Sequence, residues 1–500
     1  MAPKFRVLAA AIATAFLSLP GAAGAMDLTE AYRAALAIDP AVRSARAQLE
    51  ATRERVPQAR AGLLPGVNLS AGVNRASTDL SNAPTRNYTS QNYLLGLTMP
   101  LVRMQNWETY EQSKLTAAIG DLQFELVQQD LIVRVSQAYF DVLASQDNLA
   151  TIQAQKVAIS EQLASAKRNF EVGTATITDQ QEAQSRYDLV TAQQIAIEND
   201  LAVKRAALAQ LIGRPVPELK TLRSDISISP PQPSRESEWT EAARTGALAV
   251  QQAQLSTEVA RREIQKQRYG HLPTLDAIGQ ASRNQNAAVN FLGVTSHTGL
   301  IGLQLNWPIY QGGATEARVR EALALRDKSE SDLDGARRVA EQSARQFYLG
   351  FANGLATVQA LEAAERSSKL ALDSNMLGYQ VGVRINIDVL NSQQQLFTTQ
   401  RDLAKARYDT LLNGLRLRYA AGSLSEDDLQ RITPLLDYPK PGAQSMGMPD
   451  GAKPGTPAPA AAPISRPADV TPPKPATVAP QGVTPRAPAL APPGAAPVKR

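Results

Sequence analysis

The sequence lacks cysteine altogether and contains two histidines, His271 and His297, among its 500 residues. Without cysteine there can be no disulfides, so packing alone must hold the fold together. Two isolated histidines make a metal cluster or a histidine-based catalytic triad implausible, and the sequence contains no phosphate-binding glycine loop. It therefore predicts neither an enzyme nor a protein with a metal or another cofactor.

Long hydrophobic runs are also missing, except at the N-terminus. Lys4 and Arg6 precede an apolar stretch from Val7 to Leu19, and Ala23-Gly24-Ala25 matches a cleavage site, so residues 1–25 are predicted to be a secretory signal peptide. No other window approaches the roughly 18–20 apolar residues of a transmembrane helix. Any membrane crossing is therefore expected from β-strands, and the lack of cysteine after the signal predicts no lipid anchor.

The net charge of +5 is concentrated at the two ends of the chain. Residues 439–500 carry seven basic and two acidic side chains, and the signal region adds Lys4 and Arg6. The rest of the chain is slightly acidic, so the basic pI does not favour nucleic-acid binding. The segment 439–500 is rich in proline and alanine and is predicted to be a disordered tail. The alternative is a tether to the cell wall or to a partner.

The chain is internally duplicated. The turn Val172-Gly173, followed by Asp179, recurs as Val381-Gly382, followed by Asp388, at an offset of 209. Further matches at an offset of 208 are Glu50 and Glu258, Arg60 and Arg268, and Pro65 and Pro273. A period this long indicates two domain-sized copies rather than a solenoid. The predicted repeats are 26–230 and 231–438.

Each of these turns interrupts a long helical pattern. From Leu131 to Phe170, apolar or small residues step by four and three, and the same heptad seam recurs from Ala340 to Tyr379. The absence of proline between Gln105 and Gly173 predicts one helix on the order of 100 Å long, a reach suited to crossing a periplasm. Each half is therefore predicted to contain a helical hairpin, with turns near 173–179 and 382–388.

Two strand hairpins are predicted, at about 66–100 and 274–308. Apolar and polar residues alternate in four segments, whose apolar positions start at Val67, Tyr93, Leu275 and Ile301. A polar, turn-rich segment is expected at Asp79–Pro84. Strands of about ten residues with one apolar face fit a membrane barrel, and Trp307 and Tyr310 stand where an aromatic girdle is expected. A half-buried soluble sheet is the alternative.

Four strands are too few to close a barrel within one chain, because the smallest closed outer-membrane barrels have eight and an open edge in lipid leaves backbone groups unpaired. Two chains would give eight strands filled by side chains. Three chains would give twelve strands with room for a lumen. A duct therefore favours a trimer.

The signal, the two repeats with their strand hairpins, and the turns reading V-G-x-x-x-x-x-D resemble the TolC family of outer-membrane export ducts. Three segments are similar to the second repeat of that family: Asp388–Asn391, Ala406–Asp409 and Tyr419–Leu424. The resemblance covers about Met26 to Leu436. It implies an α+β membrane protein that forms a homotrimer in outer-membrane lipid, with a shared twelve-stranded β-barrel and a long periplasmic barrel of coiled-coil helices.

The function implied by the resemblance is that of an exit duct for type I protein secretion, drug efflux or both. A periplasmic adaptor, or membrane fusion protein, and an inner-membrane ABC or proton-driven pump are the implied partners that dock at the helical turns and open them. The rival hypothesis is an envelope-anchored structural or adhesive coiled coil without a conducting role.

The resemblance also assigns roles to residues at the turns. Tyr379 and Arg384 are implied to form a periplasmic gate with Thr178 and Asp179. The five donors of Arg384 can clamp a carboxylate and a hydroxyl on a neighbouring hairpin. Asp388 matches an inward-facing acidic position, which threefold symmetry would turn into a pore ring that favours cations.

Asn391 departs from the family pattern, because a family member carries a second acid at this position. The departure predicts a weaker negative ring and weaker block by multivalent cations. Gly173 and Gly382 are predicted to adopt positive φ angles in the turns. Together with Thr174 and Val383 they are the predicted adaptor-docking turns.

Overall fold

The computed structural model describes residues 25–81, 83–223 and 226–437. All of them lie within one compact unit, Met1–Ala443. The predicted signal peptide, apart from Ala25, and the predicted tail at 439–500 lie outside the described residues. No helix in the described part of the chain is long and apolar enough to cross a membrane.

The two halves of the described chain share one order of elements: short helices, two strands, one very long helix and a shorter returning helix. The first half contains α1 (Leu28–Ile38), α2 (Pro40–Arg53), α3 (Arg55–Ala61), β1 (Gly66–Leu80), β2 (Ala83–Val102), α4 (Met104–Glu171), α5 (Ile177–Ile212) and β3 (Thr221–Leu222). The second half contains α6 (Glu236–Gly246), α7 (Leu248–Arg268), β4 (Thr274–Gln285), β5 (Thr295–Asn306), α8 (Ala314–Gln380), α9 (Asn386–Ala420), α10 (Glu426–Ile432) and β6 (Leu436–Asp437).

The long helices follow the predicted seam. Helix α4 has 68 residues and α8 has 67, so each is about 100 Å long. The buried side chains of α4 include seam positions from Leu131 to Ala166, at the predicted steps of four and three. They face α5 and α9 and are mostly small or medium-sized, so they hold the first hairpin together along much of α4.

The largest hydrophobic core lies where α1 and α10 pack against α4, α5 and α9. Tyr139, Phe140 and Leu143 of α4 are fully buried there, together with Leu208 of α5. The hydroxyl of Tyr139 lies 3.0 Å from the backbone carbonyls of both Met26 and Lys220, and its one hydrogen can be donated to either, which satisfies this polar group inside the core. This core anchors the base of the helical hairpins, whereas their far ends have only small buried clusters.

A four-stranded antiparallel sheet has the order β1-β2-β4-β5. Its register pairs Leu69 with Leu95, Leu95 with Ala281, and Ala281 with Gly299, so the predicted apolar positions share one face. At the helical end of the sheet, Arg103 binds both carboxylate oxygens of Asp276 at 2.8 and 2.6 Å. This bidentate ion pair ties the start of α4 to β4.

The first strand hairpin is longer than the sequence indicated. Strands β1 and β2 have 15 and 20 residues rather than about ten. The predicted turn segment Asp79–Pro84 does contain the reversal of the hairpin, but its bounds were too wide, because Leu80 still pairs with Ala83. Pro84 is tolerated since it lies at a register shift of the β1–β2 ladder, where a missing N–H breaks no regular pair.

Candidate functional site

The two helical turns have the same backbone geometry. Gly173 and Gly382 have φ angles of 77° and 76°, as predicted. The N–H of Thr174 donates to the carbonyl of Asn169 at 2.8 Å, and that of Val383 donates to the carbonyl of Gly378 at 2.8 Å. These bonds close the last turns of α4 and α8 by the same glycine-based capping mechanism. The duplication therefore extends to the hydrogen bonding of the tips.

In the first turn, the candidate acceptors already have local partners. Asp179 Oδ2 accepts hydrogen bonds from the backbone N–H of Thr176 at 3.0 Å and from its hydroxyl at 2.7 Å. Thr176 is the N-cap of α5, so this contact is a capping box that starts the helix. The hydroxyl of Thr178 contacts that of Thr176 at 2.5 Å. One carboxylate oxygen of Asp179, Oδ1, has no hydrogen bond among the described residues and is the atom left for a further donor.

In the second turn, Arg384 Nη1 lies 3.6 Å from Asp388 Oδ2, one helical turn further along the chain. The side chain of Arg384 is 57% exposed, so this single long contact leaves most of its donors available. The hydroxyl of Tyr379 accepts a hydrogen bond from the amide of Asn169 at 3.5 Å. Within the described part of the chain, no hydrogen bond or ion pair joins Tyr379 or Arg384 to Thr178 or Asp179.

Asn386 connects the two hairpins, although no motif in the sequence marks it as a functional residue. Its side chain is 1% exposed, accepts a short hydrogen bond from the amide of Gln162 on α4, and donates to the backbone carbonyl of Asp179 at 3.4 Å. A buried amide with partners on two other helices fixes their separation, because leaving it unpaired is costly. The signal in the sequence was a single polar residue between Ile385 and Ile387.

A second polar contact between the hairpins involves the position that departs from the family pattern. Arg186 of α5 donates from Nη2 to Asn391 Oδ1 and from Nη1 to Gln394 Oε1, both at 3.0 Å. Both acceptors are neutral, so the guanidinium charge is not cancelled by these partners. The surroundings of Asn391 therefore carry more positive charge than they would with an acidic residue at position 391.

Further from the tips, Tyr408 of α9 donates a hydrogen bond of 2.6 Å to Asp147 Oδ2 of α4. Burial raises the pKa of the Asp147 carboxyl, while the hydrogen bond from Tyr408 and the nearby charge of Arg407 act in the opposite direction. Tyr408 is 3% exposed and packs on Phe140, with a ring separation of 5.8 Å. The pair makes a polar link between α4 and α9 inside an otherwise apolar region.

The tips also expose apolar side chains. Val172 and Val381 precede the two turn glycines and are 72% and 65% exposed, and Val383 is 78% exposed. Among the described residues, no group of three or more histidine, cysteine or acidic side chains is arranged to hold a metal ion. The tips therefore present apolar side chains, the long side chain of Arg384 and the carboxylates of Asp179 and Asp388.

The chain matches the family model "Outer membrane efflux protein" twice, over residues 31–214 and 239–423. The outer membrane protein TolC of Vibrio cholerae is 33% identical over 428 residues, which cover 84% of this chain and 96% of that relative. The proteases secretion protein PrtF of Dickeya chrysanthemi is 32% identical over 437 residues, which cover 85% of this chain and 94% of the relative.

Solved structures share the fold at lower sequence identity. The outer membrane protein VceC from Vibrio cholerae superposes with a TM-score of 0.68 at 17% identity, covering 79% of this chain and 96% of that one. The Campylobacter jejuni CmeC outer membrane channel gives a TM-score of 0.69 at 16% identity, covering 82% and 89%. With family matches in both halves and relatives above 30% identity over nearly their whole length, the chain belongs to the outer membrane efflux protein family and is an outer-membrane exit duct of the TolC type.

Proposed function

We propose that three copies of this chain assemble into one channel, with a shared twelve-stranded barrel in the outer membrane and a tunnel of helices in the periplasm. The observation that carries the proposal is the four-stranded sheet. Within the described residues, β1 and β5 each pair with one neighbour, so both outer edges of the sheet are open, and one face is apolar and exposed. Open edges in lipid are costly, and joining three sheets edge to edge removes them.

The helices support the same assembly. Apolar side chains remain exposed along them in a single chain, among them Val157 at 57%, Ile195 at 64% and Leu370 at 68%. Seam positions of α8 beyond Val358 are not buried by the described chain. Neighbouring copies would cover these faces, since exposed apolar stripes of this length are typical of helix–helix interfaces.

For the gate, the proposal is that Tyr379 and Arg384 of one chain engage Thr178 and Asp179 of the next. Two observations support it: Arg384 is largely exposed, and Asp179 has one carboxylate oxygen left after its capping bonds. Exposed pairs of this kind contribute about 0–1 kcal/mol each, which suits contacts that must open. Asp388, repeated by symmetry, would form the acidic ring of the pore.

The docking site we propose for the adaptor consists of the turns with Gly173, Thr174, Gly382 and Val383. Their exposed valines and identical backbone geometry give two similar apolar surfaces per chain. An ABC or proton-driven pump would complete the export system. Two relatives are protease secretion proteins: PrtF, and AprF of Pseudomonas aeruginosa, which is 30% identical. This similarity favours protein secretion as the role of the duct. Within this proposal, residues 26–230 and 231–438 are the two structural repeats.

Single-channel recording in planar bilayers tests the proposal. The wild type is expected to conduct weakly, and the variant Tyr379→Phe with Arg384→Ser should conduct several-fold better because the contacts that close the tips are lost. Arg366→Ser, at an exposed arginine of α8 farther from the tip, is the matched control and should behave as the wild type. Equal conductance of all three proteins would contradict the gate. No conductance in any of them would favour the rival hypothesis of a structural coiled coil.

A further inference from the structure

We propose that Arg283 and His297 form a binding site for the phosphate of an outer-leaflet glycolipid, on the apolar face of the sheet near its hairpin turns. The inference rests on the proposed position of the sheet in the membrane. It adds a specific lipid contact, which the duct function by itself does not require.

The site lies where the apolar side chains on this face of the sheet give way to aromatic and polar ones. Leu69, Leu95 and Leu97 mark this face on β1 and β2, and Ile301 on β5 is 94% exposed. One row further towards the hairpin turns, the register aligns Tyr93 with Arg283 and Arg283 with His297. The apolar face therefore ends in an aromatic ring, a guanidinium and an imidazole on three adjacent strands.

The distance from this row to the helical end of the sheet matches the thickness of the apolar part of a membrane. Ten residues separate His297 from Trp307 at the helical end of the sheet, a rise of about 34 Å along the strand. With a strand tilt of about 40°, the corresponding height is about 26 Å, close to the apolar band of outer-membrane barrels. Because the helices project into the periplasm, Arg283 and His297 lie at the outer leaflet.

The guanidinium charge of the row is not balanced by the protein. Arg283 and His297 are exposed and take part in no ion pair among the described residues. The paired positions of β2, β4 and β5 on this face contain no acidic residue. On β1, Arg75 lies nearer to the turns on the same face, and Asp79 lies beyond it, where it accepts a hydrogen bond from Thr85. A guanidinium at the edge of an apolar surface favours a phosphate, to which it can donate two hydrogen bonds.

A shallow groove of about 400 Å³ connects the charges to the apolar surface. It is lined by Leu69, Tyr93 and Leu95 on one side and by Arg283 and His297 on the other. A free phosphate ion would contact only the guanidinium and imidazole groups, whereas an acylated headgroup would also cover the leucines. The combination of charge and apolar contact favours a lipid as the occupant.

The test measures retention of a radiolabelled, phosphorylated glucosamine glycolipid by the purified full-length protein in detergent. The variant Arg283→Gln with His297→Gln should bind it about tenfold more weakly, as expected for the loss of charge-assisted hydrogen bonds. Arg86→Gln is the matched control. Arg86 is exposed at the same end of the sheet, but alternation places it on the opposite face, across from Thr78. This control should bind as the wild type does.

Four results would overturn the inference: unchanged binding by the double variant, an equal loss in Arg86→Gln, equal retention of the same glycolipid without its phosphates, or full displacement by inorganic phosphate at millimolar concentration. Should the double variant fail to assemble, Arg283→Lys keeps the charge, loses the two-pronged contact and should bind at an intermediate level. Channel recordings on the same preparations separate the two proposals, since a conducting protein without phosphate-dependent lipid binding would refute the lipid site and leave the duct intact.

Discussion

Arg186 of the first hairpin donates a hydrogen bond of 3.0 Å to the side-chain carbonyl of Asn391 in the second. The contact places a cation beside the position at which the family resemblance leads one to expect a second acidic residue. The change from an acidic residue to Asn391 is therefore more than the loss of one carboxylate. It is accompanied by a guanidinium that would neutralise a carboxylate introduced there.

This relationship predicts how the cation sensitivity of the channel can be changed. Asn391→Asp alone should have little effect on block by a trivalent cation, because Arg186 would pair with the new carboxylate. Asn391→Asp combined with Arg186→Gln should lower the half-blocking concentration by about tenfold, equivalent to about 1.4 kcal/mol. The measurement is conductance in planar bilayers at increasing cation concentration. The prediction fails if the single and double variants are blocked alike.

The buried amide of Asn386 leads to a second prediction. Asn386→Leu removes the link from α9 to Gln162 and to the backbone of Asp179, at a cost of about 1–3 kcal/mol for the groups left unpaired. The hairpins should separate more easily, so single-channel conductance should rise. Asn375→Leu is the control, because Asn375 donates to Ser392 within the same hairpin. A rise of the same size in both variants would mean that Asn386 does not act by joining the hairpins.

Local patterns predicted the long helices and the glycine turns, because heptad spacing and positive φ depend on residues close in sequence. The ends of β1 and β2 were not predictable in this way. Asp79 and Pro84 are typical loop residues, and only the cross-strand pairing of Leu80 with Ala83 shows that the strands continue. The polar Asn386 between two isoleucines did not indicate its contacts, because its partners are more than 200 residues away in the sequence.

The Asp147–Tyr408 pair predicts a pH dependence of stability. Since burial raises the pKa of Asp147, the folded protein holds this proton at pH values where the unfolded chain has released it. The resulting contribution to stability is fully present below the unfolded pKa of about 3.9 and is lost as the pH rises through the folded pKa. Asp147→Asn should lack this loss. In Tyr408→Phe this loss of stability should extend to higher pH, because the hydrogen bond that lowers the pKa of Asp147 is removed.

Denaturant unfolding midpoints between pH 3.5 and 7 provide the measurement for this pair. Asp409→Asn serves as the control for the removal of one carboxylate, since Asp409 is exposed and lies beside Tyr408 in the sequence. Parallel profiles for the wild type and Asp147→Asn would show that Asp147 does not titrate differently in the folded state.

Two glycines with similar positive φ angles allow the cost of the left-handed conformation to be separated from the cost of a steric clash. Gly382 in the second turn has a φ of 76° and open space around it, so Gly382→Ala should cost only the left-handed conformation, about 1–2 kcal/mol. Gly422, after α9, has a φ of 70°, and a Cβ there would collide with the carbonyl oxygen of Gly246 and lie 3.0 Å from Ala247 Cα. Gly422→Ala should therefore cost about 1–3 kcal/mol more, since the backbone of α6 has to move. Unfolding midpoints in guanidinium chloride compare the two variants, and equal losses would show that the contact between α6 and the end of α9 yields without cost.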